Sequence, residues 1–295
     1  MSMSQRKEFY ERFGHFIEKI EPLLPPSPDE IDWSKPAFRW RQKSYFGVEL
    51  GTLDPIAEVA FVDPKNIQNV ERQKEILLSN TEQFVKGLPA NNVLLTGARG
   101  TGKSSLIRSC LSRFYPEGLR LIEVDKSDLK YLGEITALVR TRPEKFIIFC
   151  DDLSFEPGEA AYKALKAILD GSISASSENM IIYATSNRRH LMPEKMQDNL
   201  DCGMDETGLI HPAETVEEQM SLSERFGLWL SFYPFNQEEY LRIAEGWTRH
   251  FNGPINEEWK VEALQFALQR GSRSGRVAYQ FARDWTGRNK LKNDK

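Results

Sequence analysis

Eight consecutive residues, Gly97-Ala98-Arg99-Gly100-Thr101-Gly102-Lys103-Ser104, fit the pattern G-x-x-x-x-G-K-[ST]. Glycines in such a loop let backbone N–H groups curl around phosphate oxygens, and a helix that starts behind it adds a favourable dipole. The lysine of this pattern reaches the β- and γ-phosphates of a nucleotide, and the hydroxyl that follows it ligates Mg²⁺. Lys103 and Ser104 are the candidate phosphate and metal ligands, with Ser105 following them into the helix. The flanks suit the motif. Asn92-Val93-Leu94-Leu95-Thr96 reads as a short buried strand and residues 105–111 as a helix, which is the context this loop requires.

A second group of chemistry-bearing residues follows Phe146-Ile147-Ile148-Phe149-Cys150, a run apolar throughout as expected of a strand buried on both faces. It ends in Asp151-Asp152. A carboxylate at the C-terminal end of a parallel strand lies where ligands bind in open α/β sheets. Asp151 is placed to hold Mg²⁺ directly or through water. Asp152 is placed to polarise an attacking water, with Glu156 as the alternative base. A third group ends another strand, Ala184-Thr185-Ser186-Asn187, and Asn187 is the candidate to orient that water and touch the γ-phosphate.

The elements that must position these groups alternate. Strands are expected near 92–96, 120–124, 146–150, 180–184 and 228–232, with a helix at 66–87 leading into the first and helices at 105–111, 127–139 and 159–170 between the first four. That alternation predicts a five-stranded parallel sheet with helices on both faces. After Pro234 the pattern is purely helical: Asn236 with Glu239 resembles a capping box, and further helices cover about 256–270 and 274–286. The expected organisation is an N-terminal arm (1–60), a nucleotide-binding α/β domain (61–234), a helical lid (235–287) and a frayed tail (288–295). In the arm, Phe9, Phe13, Phe16, Ile17 and Ile20 recur at helical spacing within 7–24, until Pro25 and Pro26 stop the helix. Trp33, Phe38, Trp40, Tyr45 and Phe46 interleave with Arg39, Arg41 and Lys43. Such a pattern suits nucleic-acid stacking, but it also suits docking of the arm on the main domain, the reading preferred here.

Composition narrows the class. The chain has 295 residues, 40% hydrophobic and 28% charged, with a net charge of −4. That balance argues against strong, non-specific nucleic-acid binding by the whole chain. No apolar run is long enough for a membrane span and no signal-peptide core follows the N-terminus. Three distant cysteines, Cys110, Cys150 and Cys202, read as reduced thiols of a cytoplasmic protein. Four scattered histidines give no metal site made by protein ligands alone. Between Asn187 and Arg225 runs an acid-rich connection that includes Glu194, Asp198, Asp201, Asp205, Glu206, Glu214, Glu217 and Glu218. It would repel phosphate, so it is read as a solvated loop or a site for a protein partner or neighbouring subunit.

Phosphate loop, Asp-Asp pair, strand-terminal Asn and C-terminal helices together resemble the AAA+ ATPases over about residues 60–286. Relatives of this type mostly carry Glu where Asp152 stands, and Asp is one methylene shorter. The segment Leu222-Ser223-Glu224-Arg225-Phe226-Gly227-Leu228 resembles the Arg-Phe segment of bacterial replication initiators and branch-migration motors, which implies that Arg225 is an arginine finger acting on a neighbouring subunit. Gly271-Ser272-Arg273-Ser274-Gly275-Arg276 resembles the lid-helix start that carries the sensor 2 arginine; the role falls to Arg276, with Arg273 as the fallback. Residues 88–95 and 228–234 are similar to a family of uncharacterised bacterial AAA+ ATPases known only as a domain of unknown function. The resemblance implies ATP and Mg²⁺ as cofactors, a ring or open-ring homo-oligomer, and an unknown macromolecular client, protein or nucleic acid. An ATP-dependent switch or loader with negligible turnover is the competing reading. A nucleoside-kinase-type phosphotransferase is a third, but it leaves Arg225 and the helical lid unexplained.

Overall fold

A computed structural model describes residues 3–20, 31–45, 47–155, 159–170, 178–187 and 222–293. Among these residues the strands are β1 (Ala37–Tyr45), β2 (Val48–Pro55), β3 (Val93–Gly97), β4 (Leu119–Glu123), β5 (Lys145–Cys150), β6 (Met180–Ser186) and β7 (Leu228–Phe232). They form one sheet in the order β2-β1-β4-β5-β6-β3-β7. Strands β4, β5, β6, β3 and β7 are mutually parallel and are the five expected from the alternation.

The sheet is larger than the five strands expected. Residues 37–55, assigned to the arm as docking aromatics, form a hairpin closed at Tyr45 and Val48, with Gly47 at φ +81 in the turn. Its first strand pairs in parallel with β4 through Ala37–Leu121, Phe38–Ile122 and Arg39–Glu123, so two strands extend the sheet. The cause lies in alternation. Phe38, Trp40 and Leu53 enter the core while Arg39 pairs with Glu123 at 2.6 Å and Lys43 with Asp54 at 2.6 Å. Trp33 packs edge-on against Phe146 at 5.6 Å, so the aromatics of this region serve packing.

Helices α2 (Glu71–Val85), α3 (Lys103–Phe114), α4 (Leu132–Val139) and α5 (Ala160–Leu169) cover the two faces. The central strands are apolar on both sides, and alternate residues enter different cores: Ile147, Phe149, Ile181 and Tyr183 join α2 and α3, whereas Phe146, Ile148, Ile182 and Ala184 join α4 and α5. This is the pattern of a sheet covered on both faces. Helices α6 (Gln237–His250), α7 (Glu257–Gln269) and α8 (Gly275–Asn293) share the first core through Tyr240, Trp259, Ala263, Phe281 and Trp285. The Asn236–Glu239 capping box is formed in both directions and opens α6. Helix α8 runs to Asn293, beyond the expected end at 286, because Arg288 ties it to Glu262 at 3.1 Å and Asp284 at 2.8 Å.

Helix α1 (Met3–Ile20) carries Phe9, Phe13, Phe16 and Ile17 exposed on its surface. The prolines expected to stop it lie outside the described residues, as does Cys202. Cys110 and Cys150 are buried free thiols, and burial pushes both up to about 12. No helix among the described residues is long and apolar enough to cross a membrane.

The hairpin has a steric signature. A Cβ at Gly51 would lie 1.9 Å from the indole of Trp40, which is buried. Gly51→Ala should therefore lower the unfolding free energy by about 1–3 kcal/mol through overpacking, read as an earlier urea midpoint. An unchanged midpoint would contradict the packing of β2 over Trp40.

Candidate functional site

The loop between β3 and α3 depends on glycines where the chain turns back on itself. Gly97 has φ +128, and a Cβ there would sit 1.9 Å from the Phe232 carbonyl oxygen of β7. Gly100 has φ +72 and faces the start of α8: a Cβ would meet Ser274 at 2.8 Å. The Gly275 amide donates to the Gly100 carbonyl at 2.8 Å, so the loop and the first turn of α8 touch directly. Side-chain atoms are excluded from both contacts.

Lys103, the first residue of α3, folds its side chain back over this loop and is 6% exposed. Its Nζ donates to the carbonyl oxygens of Gly97 at 2.7 Å and Ala98 at 2.8 Å and to Asn187 Oδ1 at 3.1 Å. Ala98 O also accepts from Thr101 Oγ1 at 2.8 Å. Burial lowers the Lys103 pKa; Asp151 and Asp152 oppose that shift, and Arg99 adds to it.

β6 lies between β3 and β5, so the residue that ends it stands between the lysine and the acids. The Asn187 amide accepts from Lys103 and donates to Asp152 Oδ1. Ser104 Oγ donates to Asp151 Oδ1 at 2.7 Å, and Thr185 Oγ1 donates to the same oxygen at 2.6 Å. Asp152 adopts φ +52, a left-handed conformation that costs a non-glycine residue about 1–3 kcal/mol. Its amide donates to Thr185 Oγ1 at 2.9 Å, and Arg99 Nη2 lies 3.9 Å from its Oδ2.

These groups open into a cavity of about 780 Å³. Ser104, Ser105 and Arg108 of α3 line one side, and Ile243, Trp247, Arg276 and Tyr279 of the C-terminal helices line the other. Val62, Asn66, Ile67 and Gln68 contribute from the segment before α2. The cavity thus has a polar end with clustered charge and a wall of aliphatic and aromatic side chains, the usual composition of a small-molecule site.

The cavity unites nearly all of the sequence-predicted residues. Arg99, Gly100, Thr101, Gly102, Lys103, Ser104, Ser105, Asp151, Asp152, Asn187 and Arg276 line it. Gly97 and Ala98 reach it through the carbonyls that hold Lys103. Arg225 is not among the lining residues; its Nε donates to Asp170 Oδ1 at the end of α5. Arg273, the fallback for Arg276, does not line the cavity either. Glu156 and the acid-rich stretch through Glu218 lie outside the described residues. Sequence reading passed over Thr185, although it stands two residues before Asn187 at the same strand end. It also passed over the apolar wall, because Ile67, Ile243, Trp247 and Tyr279 are indistinguishable in sequence from core residues.

The donor set fits a magnesium ion. Ser104 Oγ and the Asp151 carboxylate are hard oxygen donors in contact, and Mg²⁺ takes one or two such protein ligands together with substrate phosphates. No group of three or more His, Cys, Asp or Glu that could hold a metal exists among the described residues.

The fold is thus α/β, a seven-stranded and mostly parallel sheet in which a glycine loop leads from β3 into α3 and two carboxylates follow β5. The chain belongs to the family described as "Protein of unknown function (DUF815)", which matches residues 34–289. The family known only as a domain of unknown function, expected from residues 88–95 and 228–234, is borne out. No curated protein matches the chain. Among solved structures it is similar to RuvB of Thermotoga maritima, a Holliday junction branch migration motor, with 16% identity and a TM-score of 0.45 over 73% of this chain and 60% of that one. It is also similar to Orc1 of Aeropyrum pernix, solved in complex with DNA, with 16% identity and a TM-score of 0.49 over 74% of this chain and 61% of that one. The chain spans about three fifths of the length of these neighbours.

The buried lysine makes a testable link to pH. Its folded pKa is lowered below the ordinary 10.5, so the unfolded chain holds this proton more tightly. The residue's contribution to stability therefore rises as the pH climbs from the folded value toward 10.5. The unfolding free energy of the parent minus that of Lys103→Met should increase over that window, since every other lysine is common to both. A difference that stays flat or falls would contradict the burial of the ammonium.

Proposed function

We propose that this protein is an AAA+ ATPase that hydrolyses ATP to ADP and phosphate with Mg²⁺ and couples the reaction to work on a macromolecular client. The observation that carries the reading is the contact of Ser104 with Asp151 at 2.7 Å beside Lys103 in one cavity. In this reading Lys103 exchanges its loop carbonyls for the β- and γ-phosphates. Ser104 and Asp151 hold the Mg²⁺, which neutralises charge on the phosphates. Asp152 accepts the proton of the attacking water, with Glu156 as the alternative base. Asn187 touches the γ-phosphate and orients that water. Its bonds to both Lys103 and Asp152 support this assignment. Arg276 senses the same nucleotide from α8, and the apolar wall takes the base.

Residues 61–234, their sheet extended by the hairpin of residues 37–55, act as the nucleotide-binding domain, and 235–287 act as the lid, whose last helix runs on to Asn293. Contact of Gly275 with Gly100 gives nucleotide-driven loop motion a direct route to the lid. Arg225 acts across an interface of a ring or open-ring homo-oligomer in the cytoplasm. Such a cation is worth roughly 10³–10⁵ in rate. The client is a protein or a nucleic acid. One observation favours the competing reading, a switch or loader with negligible turnover: Asp152, shorter than Glu, is held by both Asn187 and Arg99.

ATP at a hundredfold excess over its dissociation constant should stabilise the parent by about 2.7 kcal/mol, and Lys103→Ala should lose that thermal shift. Arg225→Ala should keep the shift but hydrolyse poorly. Mixed with Lys103→Ala, it should regain activity, since a mixed interface pairs an intact loop with an intact finger. Two variants that co-assemble and stay inactive would remove Arg225 from the neighbour's site, and a full ATP shift in Lys103→Ala would remove the phosphate loop.

A further inference from the structure

We infer that Thr185 is the positioning residue of this site: one buried hydroxyl sets both the metal-binding carboxylate of Asp151 and the backbone of Asp152. The catalytic consequence rests on the ATPase reading above; the structural part does not. Thr185 is the penultimate residue of β6 and is 2% exposed. Its Oγ1 donates to Asp151 Oδ1 at 2.6 Å and accepts from the Asp152 amide at 2.9 Å. A hydroxyl has one proton, so once it is given to Asp151 the oxygen can meet Asp152 only as acceptor. The two bonds are thus complementary and run in a fixed direction.

The backbone continues the grip. The Thr185 carbonyl accepts from the Leu153 amide at 2.7 Å, and Ser186 Oγ donates to the Leu153 carbonyl at 2.7 Å. The end of β6 therefore holds three successive residues after β5. Asp152 sits among them at φ +52, a conformation that persists only where its surroundings hold it. Here the bond that holds its backbone is the one to Thr185.

Thr185 differs from the other groups on the two acids. Ser104 would take a metal as a further partner through its oxygen lone pairs, and Lys103 would exchange its loop carbonyls for phosphates. Arg99 and Asp152 are exposed, with side chains 78% and 57% accessible. Thr185 is buried and its two bonds need not change, so it keeps both carboxylates in place while Ser104 gains a metal and Lys103 exchanges partners. A β-branched side chain suits this task, because its χ1 has little freedom.

Thr185→Val keeps shape and removes the hydroxyl; Thr185→Ser keeps the hydroxyl. In amide hydrogen exchange by NMR on the full chain without nucleotide, the Asp152 amide of Thr185→Val should exchange about tenfold faster or more. Leu153, whose bond is to the backbone carbonyl, should stay protected, and Thr185→Ser should restore Asp152. In steady-state hydrolysis, Thr185→Val should lose about 10–100-fold in kcat with KM for ATP nearly unchanged, and Thr185→Ser should recover most of it. Unchanged Asp152 exchange in Thr185→Val overturns the clamp. Faster exchange with parental kcat overturns its role in the reaction. A parent that hydrolyses no ATP overturns the ATPase reading and the catalytic half of this inference, while amide exchange still decides the clamp.

Discussion

A lysine ammonium taken out of water must be given partners, and that requirement organises the centre of this protein. Lys103 is almost fully buried, and burial disfavours its charged form. Two carbonyls of its own loop and the Asn187 amide surround it, and the charges of Asp151 and Asp152 return part of what burial removes. Phosphate oxygens are better partners for an ammonium than carbonyls, because the acceptor is then itself charged. The site is thus built from interactions that satisfy each member, and in the proposed reading an anionic ligand would replace some of them.

The order of the sheet makes this possible. With β6 between β3 and β5, the loop after β3 and the acids after β5 are bridged by residues at the end of β6. Asn187 links lysine to acid on the exposed side, and Thr185 links acid to acid beneath it. On the other flank of β3, β7 approaches so closely that Gly97 has no room for a side chain, and the Ala98 amide donates to Phe232 O at 3.2 Å. The glycine loop is therefore braced by strands on both sides. Its outer turn meets α8 through Gly100 and Gly275, which joins the helices after Pro234 to the chemistry.

Much of this was legible in the sequence where a motif states a backbone requirement. The glycine loop, the apolar strand ending in Asp-Asp and the strand ending in Asn187 each name a residue and its place at a strand end. The two outer strands were not. Phe38 and Trp40 alternate with Arg39 and Arg41, but short alternation beside prolines and exposed cations reads equally well as a docking arm. The apolar wall was hidden because a cavity residue and a core residue have the same composition, and only tertiary packing separates Trp247 from Trp259. Thr185 was hidden for a different reason: its function lies in two hydrogen bonds across strands, and no local pattern announces them. The pairing of Arg225 with Asp170 is likewise a contact between distant segments.

The central claim is that the bonds within this site are exchanged for those of a magnesium nucleotide. A crystal structure with Mg²⁺ and a non-hydrolysable ATP analogue tests it most directly. The account predicts Ser104 Oγ about 2.1 Å from the metal, Lys103 Nζ on the terminal phosphates instead of the Gly97 carbonyl, and Thr185 still bonded to both Asp151 and the Asp152 amide. A nucleotide whose phosphates lie away from Lys103, or a bound metal that Ser104 does not ligate, would contradict it.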